Sequence, residues 1–250
     1  MLVIGAAFYL VAGAIGREDT DAAQRAVHTA LLFAVLGGFV IALIGELAAE
    51  PLLRMMSVPD EVLPLALLYL RIYLIGMPVI LLYNFEAAIF RSVGETRVPL
   101  VALAMSGVLN VLLNLFFVAV LHMTVNGVAI ATVMANAFSS ALLFRRLLRS
   151  GKDIRLEPRR LRMDGRSLWM ILRIGLPAGL QSAVFAISNI VIQSAINSLG
   201  KVVMAASSAA YNIEVFAYDV MNSYNQACTT FVGQNYGAGQ IRRCRKTLYL

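Results

Sequence analysis

Tyr211, Glu214, Tyr218, Asn222 and Asn225 recur at offsets of 0, 3, 7, 11 and 14 within an otherwise apolar stretch. At about 100° per residue they fall within roughly ±60° of one direction on a helix, with Asp219 at the edge of that face. A carboxylate at bilayer depth costs about 2.5–3.5 kcal/mol on insertion scales, so it must face protein or a wet cavity. Aromatic rings beside a carboxylate suit an organic cation, through stacking and cation–π attraction. The same residues also suit a helix–helix seam held by polar hydrogen bonds. Asn189, Gln193 and Asn197 form a second face on the preceding stretch, where amides can bond a substrate or a neighbouring helix.

A third polar face joins two further stretches. Ser106, Asn110 and Asn114 share one side of a helix at i, i+4, i+8, and Thr132 and Asn136 share one on the next. Hard cations take oxygen ligands, which amides and hydroxyls supply; structural hydrogen bonding uses the same groups. Glu86 sits near Arg91, where local pairing or snorkelling accounts for it more cheaply than a proton relay, and Arg71 is within reach of the opposite interface.

Other chemistries lack their residues. Cys228 and Cys244 cannot build a disulfide framework and are expected to pack as small side chains. His28 and His122 lie far apart without cysteine partners, so no metal centre is expected. Gly233, Gly237 and Gly239 are ordered wrongly for a phosphate loop and mark a helix end. There is no G-x-S-x-G or H-E-x-x-H, so the chain is not expected to be an enzyme, nor to hold a cofactor.

The elements that carry these faces are long and apolar. Hydrophobic types make up 60% of the 250 residues and charged types 14%, against about 25% charged in a soluble domain. Too few charges remain to solvate a globule, so the partner is a lipid bilayer. Apolar stretches run over Ala26–Ala49, Val62–Phe90, Pro99–Leu121, Gly127–Leu148, Ser167–Leu199 and Val202–Gly233, after a shorter one ending at Gly16. Without period-two alternation these are helices, because lipid forces the backbone to satisfy its own hydrogen bonds. The fold class is therefore an all-α polytopic bundle. Glu50-Pro51, Ser57 to Asp60, Gly94 to Pro99, and Asn126-Gly127 read as connectors, and Pro78 and Pro177 predict kinks.

Basic residues orient the spans. With connectors alternating, 17 of the 21 Lys and Arg fall on one side, and only Arg54 and Lys201 on the other. The Arg145–Arg166 loop and the C-terminus are then cytoplasmic, in a multi-pass protein of the cell membrane. The net charge of +7 is a topology signal that meets anionic lipid, not a nucleic-acid signal.

At an offset of 221, Ala6, Val11 and Gly16 match Ala227, Val232 and Gly237. Doubling that offset suggests an intact protein of about 440 residues with twelve helices, built from repeats as many transporters are. On that count the chain starts within helix two and stops after helix eight, and residues 1–250 alone are not expected to transport.

Several stretches, taken in order, resemble the multidrug and toxic compound extrusion (MATE) family. They are Glu50-Pro51-Leu52-Leu53-Arg54; Tyr69-Leu70-Arg71 with Gly76-Met77-Pro78; the run Phe90 to Pro99; Arg173 to Pro177; and Val232 to Gln240. The resemblance implies a 6+6 two-lobe antiporter, monomeric when intact. It would expel cationic or amphipathic organic small molecules in exchange for Na⁺ or H⁺. Residues 1–150 would be the first lobe without its first helix, 151–166 a basic inter-lobe loop, and 167–250 the first two helices of the second lobe. Glu214 matches the position of a family carboxylate tied to cation coupling, with Asp219, Tyr211, Tyr218 and Asn222 beside it. Asn110, Asn114 and Thr132 match the first-lobe cation site, though the family often has Asp where Asn114 stands. A lipid-linked-sugar flippase of the same superfamily and a non-transporting fragment or scaffold are the rival expectations.

Overall fold

A computed structural model describes residues 2–55, 60–61, 63–151, 154–199 and 201–247. The described chain is helical throughout: α1 (Leu2–Gly16), α2 (Thr20–Met55), α3 (Leu63–Ile75), α4 (Met77–Ser92), α5 (Arg97–Leu115), α6 (Val125–Leu148), α7 (Gly165–Ser198), α8 (Lys201–Gly237) and α9 (Ile241–Lys246). The connector at Ser57 to Pro59 and the side chains of Gln193 and Asn197 lie outside the described residues.

Among the described residues, α2, α5 with the π-helical turn that continues it to Val120, α6 and α7 are long and apolar enough to cross a membrane. The pair α3 and α4 is long and apolar enough only when taken together, and it is bent by 51° where Gly76 and Pro78 interrupt the helix. That bend meets the expectation of a kink at Pro78. Pro177 lies inside α7, within the span as expected, and Pro51 lies inside α2. Glu50-Pro51 is thus no connector, and Arg54 reaches back one turn to Glu50 at 2.9 Å. Asn126 also falls inside a helix, and its Oδ1 accepts the Thr124 and Gly127 amides in the first turn of α6. The expectation of an apolar span at Val202–Gly233 needs correction as well. At 37 residues α8 is long enough, but Asn212, Glu214, Asp219, Asn222, Asn225 and Gln226 dilute it below the apolar character of its neighbours.

Packing follows the rule for helices in lipid, where no hydrophobic force separates helix from solvent and small residues let backbones approach. Ala23, Ala26, Ala30, Ala34 and Gly38 form a buried stripe along α2, and Ala6, Ala7, Ala12 and Ala14 are buried on several sides of α1. Larger side chains fill the centre: Phe90, Ile89, Leu143 and Leu147 in one cluster, Phe85 and Ile171 in another.

The basic loop is partly docked rather than wholly given to lipid. Ile154 and Leu156 are buried in the first cluster. The Glu157 amide donates to His28 Nε2 at 3.2 Å, and the Asp164 amide to Thr29 Oγ1 at 3.0 Å. Asp164 then caps α7, its Oδ2 accepting the Ser167 hydroxyl and amide, each at 2.7 Å. Those two bonds hold the Asp164 carboxyl below its usual range, and Arg25 and Arg166 add to the effect. Such a cap contributes ~1 kcal/mol to the helix start.

The repeat suggested by the sequence reappears as a contact. α7 and α8 both lie against α1. A Cβ added at Gly16 would overlap the Gln234 carbonyl, and one added at Gly237 would overlap the Gly13 carbonyl. Shifting by 221 turns the pair Gly16 and Gln234 into Gly237 and Gly13. The two contacts are therefore reciprocal, as in an interface with a local two-fold axis. Ala12 and Gly233, also 221 apart, meet between them.

Candidate functional site

α8 divides into an anchored half and an open half. From Gln226 onward it is tied to α4: Arg91 Nη1 donates to Gln226 Oε1 at 2.9 Å, and Gln234 Nε2 to the Ser92 carbonyl at 2.7 Å. Before that stretch lies the acidic face. Tyr211, Glu214, Tyr218 and Asp219 are exposed, and Asn222 is half-buried. They share one helix, so their common face follows from the backbone. Among the described residues no hydrogen bond or ion pair joins Glu214 or Asp219 to another helix. Asn189 on α7 is exposed too.

Asn110, Asn114 and Thr132 are half-buried on α5 and α6, which pack against each other. Their hydrogen bonds stay within their own helices. Asn114 Nδ2 donates to the carbonyl and Oδ1 of Asn110 at 2.9 and 3.0 Å. Thr132 Oγ1 donates to the Val128 carbonyl at 2.9 Å, and Asn136 Nδ2 to the Thr132 carbonyl at 2.8 Å. Ser106 likewise bonds Leu103. The amide oxygen of Asn114 is left buried without a partner. An acceptor in that state costs about 1–3 kcal/mol unless something donates to it or coordinates it.

The sequence misjudges Glu86. Local pairing with Arg91 does not occur, because five residues on a helix place two side chains about 140° apart, whereas pairs form at i+3 and i+4. Arg91 instead bonds the Ala87 carbonyl and Gln226. Glu86 points into the bundle, and its Oε2 accepts the Ser140 hydroxyl of α6 at 2.9 Å. Ser140 carries no signal in the sequence beyond being a hydroxyl in an apolar run. Arg71 does reach a carboxylate of its own, Glu46 on α2, at 3.4 Å. Arg146 lies 3.7 Å from Glu95.

Residues 1–116 and 177–250 match the family model described as MatE. The chain is 26% identical over 246 residues to the probable multidrug resistance protein YoeA of Bacillus subtilis, spanning 96% of this chain and 53% of that one. It is 27% identical over 248 residues to the FAD transporter of Shewanella oneidensis, spanning 94% of this chain and 53% of the relative. A solved structure described as an outward-facing multidrug resistance MATE family transporter superposes with a TM-score of 0.88. It is 23% identical, over 99% of this chain and 55% of that one. The chain thus spans about half the length of the curated relatives it matches.

Proposed function

From the premise that the chain belongs to the MATE family, we propose that it works in a cation-coupled antiporter that exports amphipathic or cationic organic compounds, with Na⁺ or H⁺ as the coupling ion. The observation that carries this is the acidic, aromatic face of α8, with Glu214 between Tyr211 and Tyr218 on the half of the helix that leaves the bundle. A carboxylate between two rings is a receptor for an organic cation. It favours a positive substrate over the dinucleotide for which the Shewanella relative is named, and over a lipid-linked sugar phosphate. The first-lobe face supports the coupling ion: Asn110, Asn114 and Thr132 offer oxygens, one of them unpartnered.

Cells lacking their own exporters, given the gene that carries this chain, should extrude a fluorescent cationic dye while an inward Na⁺ or H⁺ gradient stands. Dye efflux that persists unchanged after both gradients are collapsed would remove ion coupling, and no efflux would remove the substrate class.

The 17-to-2 split of basic residues supports a cytoplasmic side for the Arg145–Arg166 loop and the C-terminus. A cysteine introduced at Arg159, which is exposed, should resist a membrane-impermeant maleimide in intact cells and react after permeabilisation. Labelling of intact cells would invert the topology.

A further inference from the structure

Glu86 is the most deeply enclosed acidic group among the described residues, with a relative exposure of 0%. Its flanking residues from Phe85 to Phe90 are all buried, so it lies on the packed side of α4 between α2 and α6. Ser140 supplies one hydrogen bond to Oε2. Oε1 is buried with no partner.

Among the described residues no positive charge answers this carboxyl. On its own helix Arg91 is engaged by Ala87 and Gln226, and Tyr83 is half-buried without a bond to Glu86. On α2, His28 receives the Glu157 amide and Arg25 lies by Asp164. Arg145 and Arg146 of α6 and Arg97 of α5 are exposed, with Arg146 beside Glu95. Arg71 of α3 is paired with Glu46, and α1 carries no charged side chain. An ionised carboxylate left like this costs several kcal/mol, and a structural role would leave that cost standing.

We propose that Glu86 and Ser140 form a proton-binding site between α4 and α6, separate from both the α8 face and the Asn110, Asn114 and Thr132 face. Proton uptake forms one O–H bond on the carboxyl and removes the charge. With the proton on Oε2, the 2.9 Å contact serves in the reverse sense, the acid donating to Ser140 Oγ. A metal ion fits less well, since hard cations gather about six oxygen ligands and here only one hydroxyl joins the carboxyl. The proton leaves to water when a rearrangement of α4 against α6 hydrates Oε2. The site rests on the antiport reading for its purpose, giving the lobe whose polar face is built of Asn and Thr a group that can carry a proton. Its existence does not depend on that reading.

Infrared difference spectroscopy on the purified protein in lipid nanodiscs, stepped between neutral and alkaline pH, reads the group directly. At neutral pH wild type should show the carbonyl band of a protonated, enclosed carboxylic acid, and Glu86→Gln should lose it. Ser140→Ala should keep the band but move it to higher frequency, because its hydrogen bond is gone. Should Glu86→Gln not fold, the Ser140→Ala shift decides alone, and an unmoved band overturns the site. Loss of no band in folded Glu86→Gln also overturns it. Gradient-driven dye efflux without this band sinks the site and leaves the antiport reading standing; the band without such efflux does the reverse.

Discussion

Gly237→Leu should separate α8 from α1, and Gly16→Leu should do the same. Each added side chain would run into backbone, the Gly13 carbonyl in one case and the Gln234 carbonyl in the other, and backbone cannot rotate aside as a side-chain end can. Overpacking typically costs 1–3 kcal/mol, and a clash with the neighbouring helix's main chain belongs at or above about 3 kcal/mol. A cross-link measures it. Ala12 Cβ and a Cβ placed at Gly233 come within 3.2 Å, close to the ~3.5–4.5 Å between the Cβ atoms of a disulfide. With Cys228 and Cys244 replaced by serine, the pair Ala12→Cys and Gly233→Cys should oxidise readily. Adding Gly237→Leu or Gly16→Leu should abolish the cross-link, by similar amounts because the two contacts are reciprocal. Gly5→Leu, where nothing lies within 4 Å, should leave it intact. Full cross-linking in both Gly16→Leu and Gly237→Leu would mean that the helices do not meet through these glycines.

What the sequence discloses depends on whether a feature is local. The break at Gly76 and Pro78 is legible because a proline's missing amide and ring act within a turn of its own position. The common face of Tyr211, Glu214 and Tyr218 is legible because a helix period alone creates it. Pro51 was misread for the opposite reason: α2 continues through it to Met55, so the turn chemistry of Glu50-Pro51 lost to the helix around it. Glu86 shows the deeper limit. Its partner Ser140 is 54 residues away on α6, and no periodicity on α4 reveals what α6 presents. The sequence placed Glu86 near Arg91 by counting residues, whereas the helix turns those two side chains apart. The loop at Ile154 and Leu156 is a similar case. Its arginines are read as lipid-facing charge, yet two apolar residues among them reach a core assembled from α1, α2, α4, α5 and α6. The matches of Ala6, Val11 and Gly16 with Ala227, Val232 and Gly237 suggest a repeat by offset, but not that the two stretches touch.

Glu214→Gln should abolish ion-driven export while leaving the helix in place. The side chain is exposed on the half of α8 that precedes the ties at Gln226, Thr230 and Gln234, so removing its charge disturbs none of the contacts that seat the helix. Glutamine keeps the size and the hydrogen-bonding atoms and takes away only the negative charge. A charge-assisted contact is worth ~1.5–3 kcal/mol, so affinity for an organic cation should fall about 10- to 100-fold. Coupling should fail with it. If proton or Na⁺ and the cationic substrate compete for one carboxylate, a neutral side chain leaves nothing to exchange; if they bind different states, the same residue still supplies the differential affinity that links them. Asp219→Asn should do less, because Asp219 sits at the edge of the face, away from the two rings. The Ala12→Cys and Gly233→Cys cross-link serves as the folding control, and it should form in Glu214→Gln as in wild type. Gradient-dependent efflux at the wild-type rate in a cross-linkable Glu214→Gln protein would take this residue out of transport. The α8 face would then be a seam for a neighbouring helix, its tyrosines and amides packing surface and its carboxylate a bond to that neighbour.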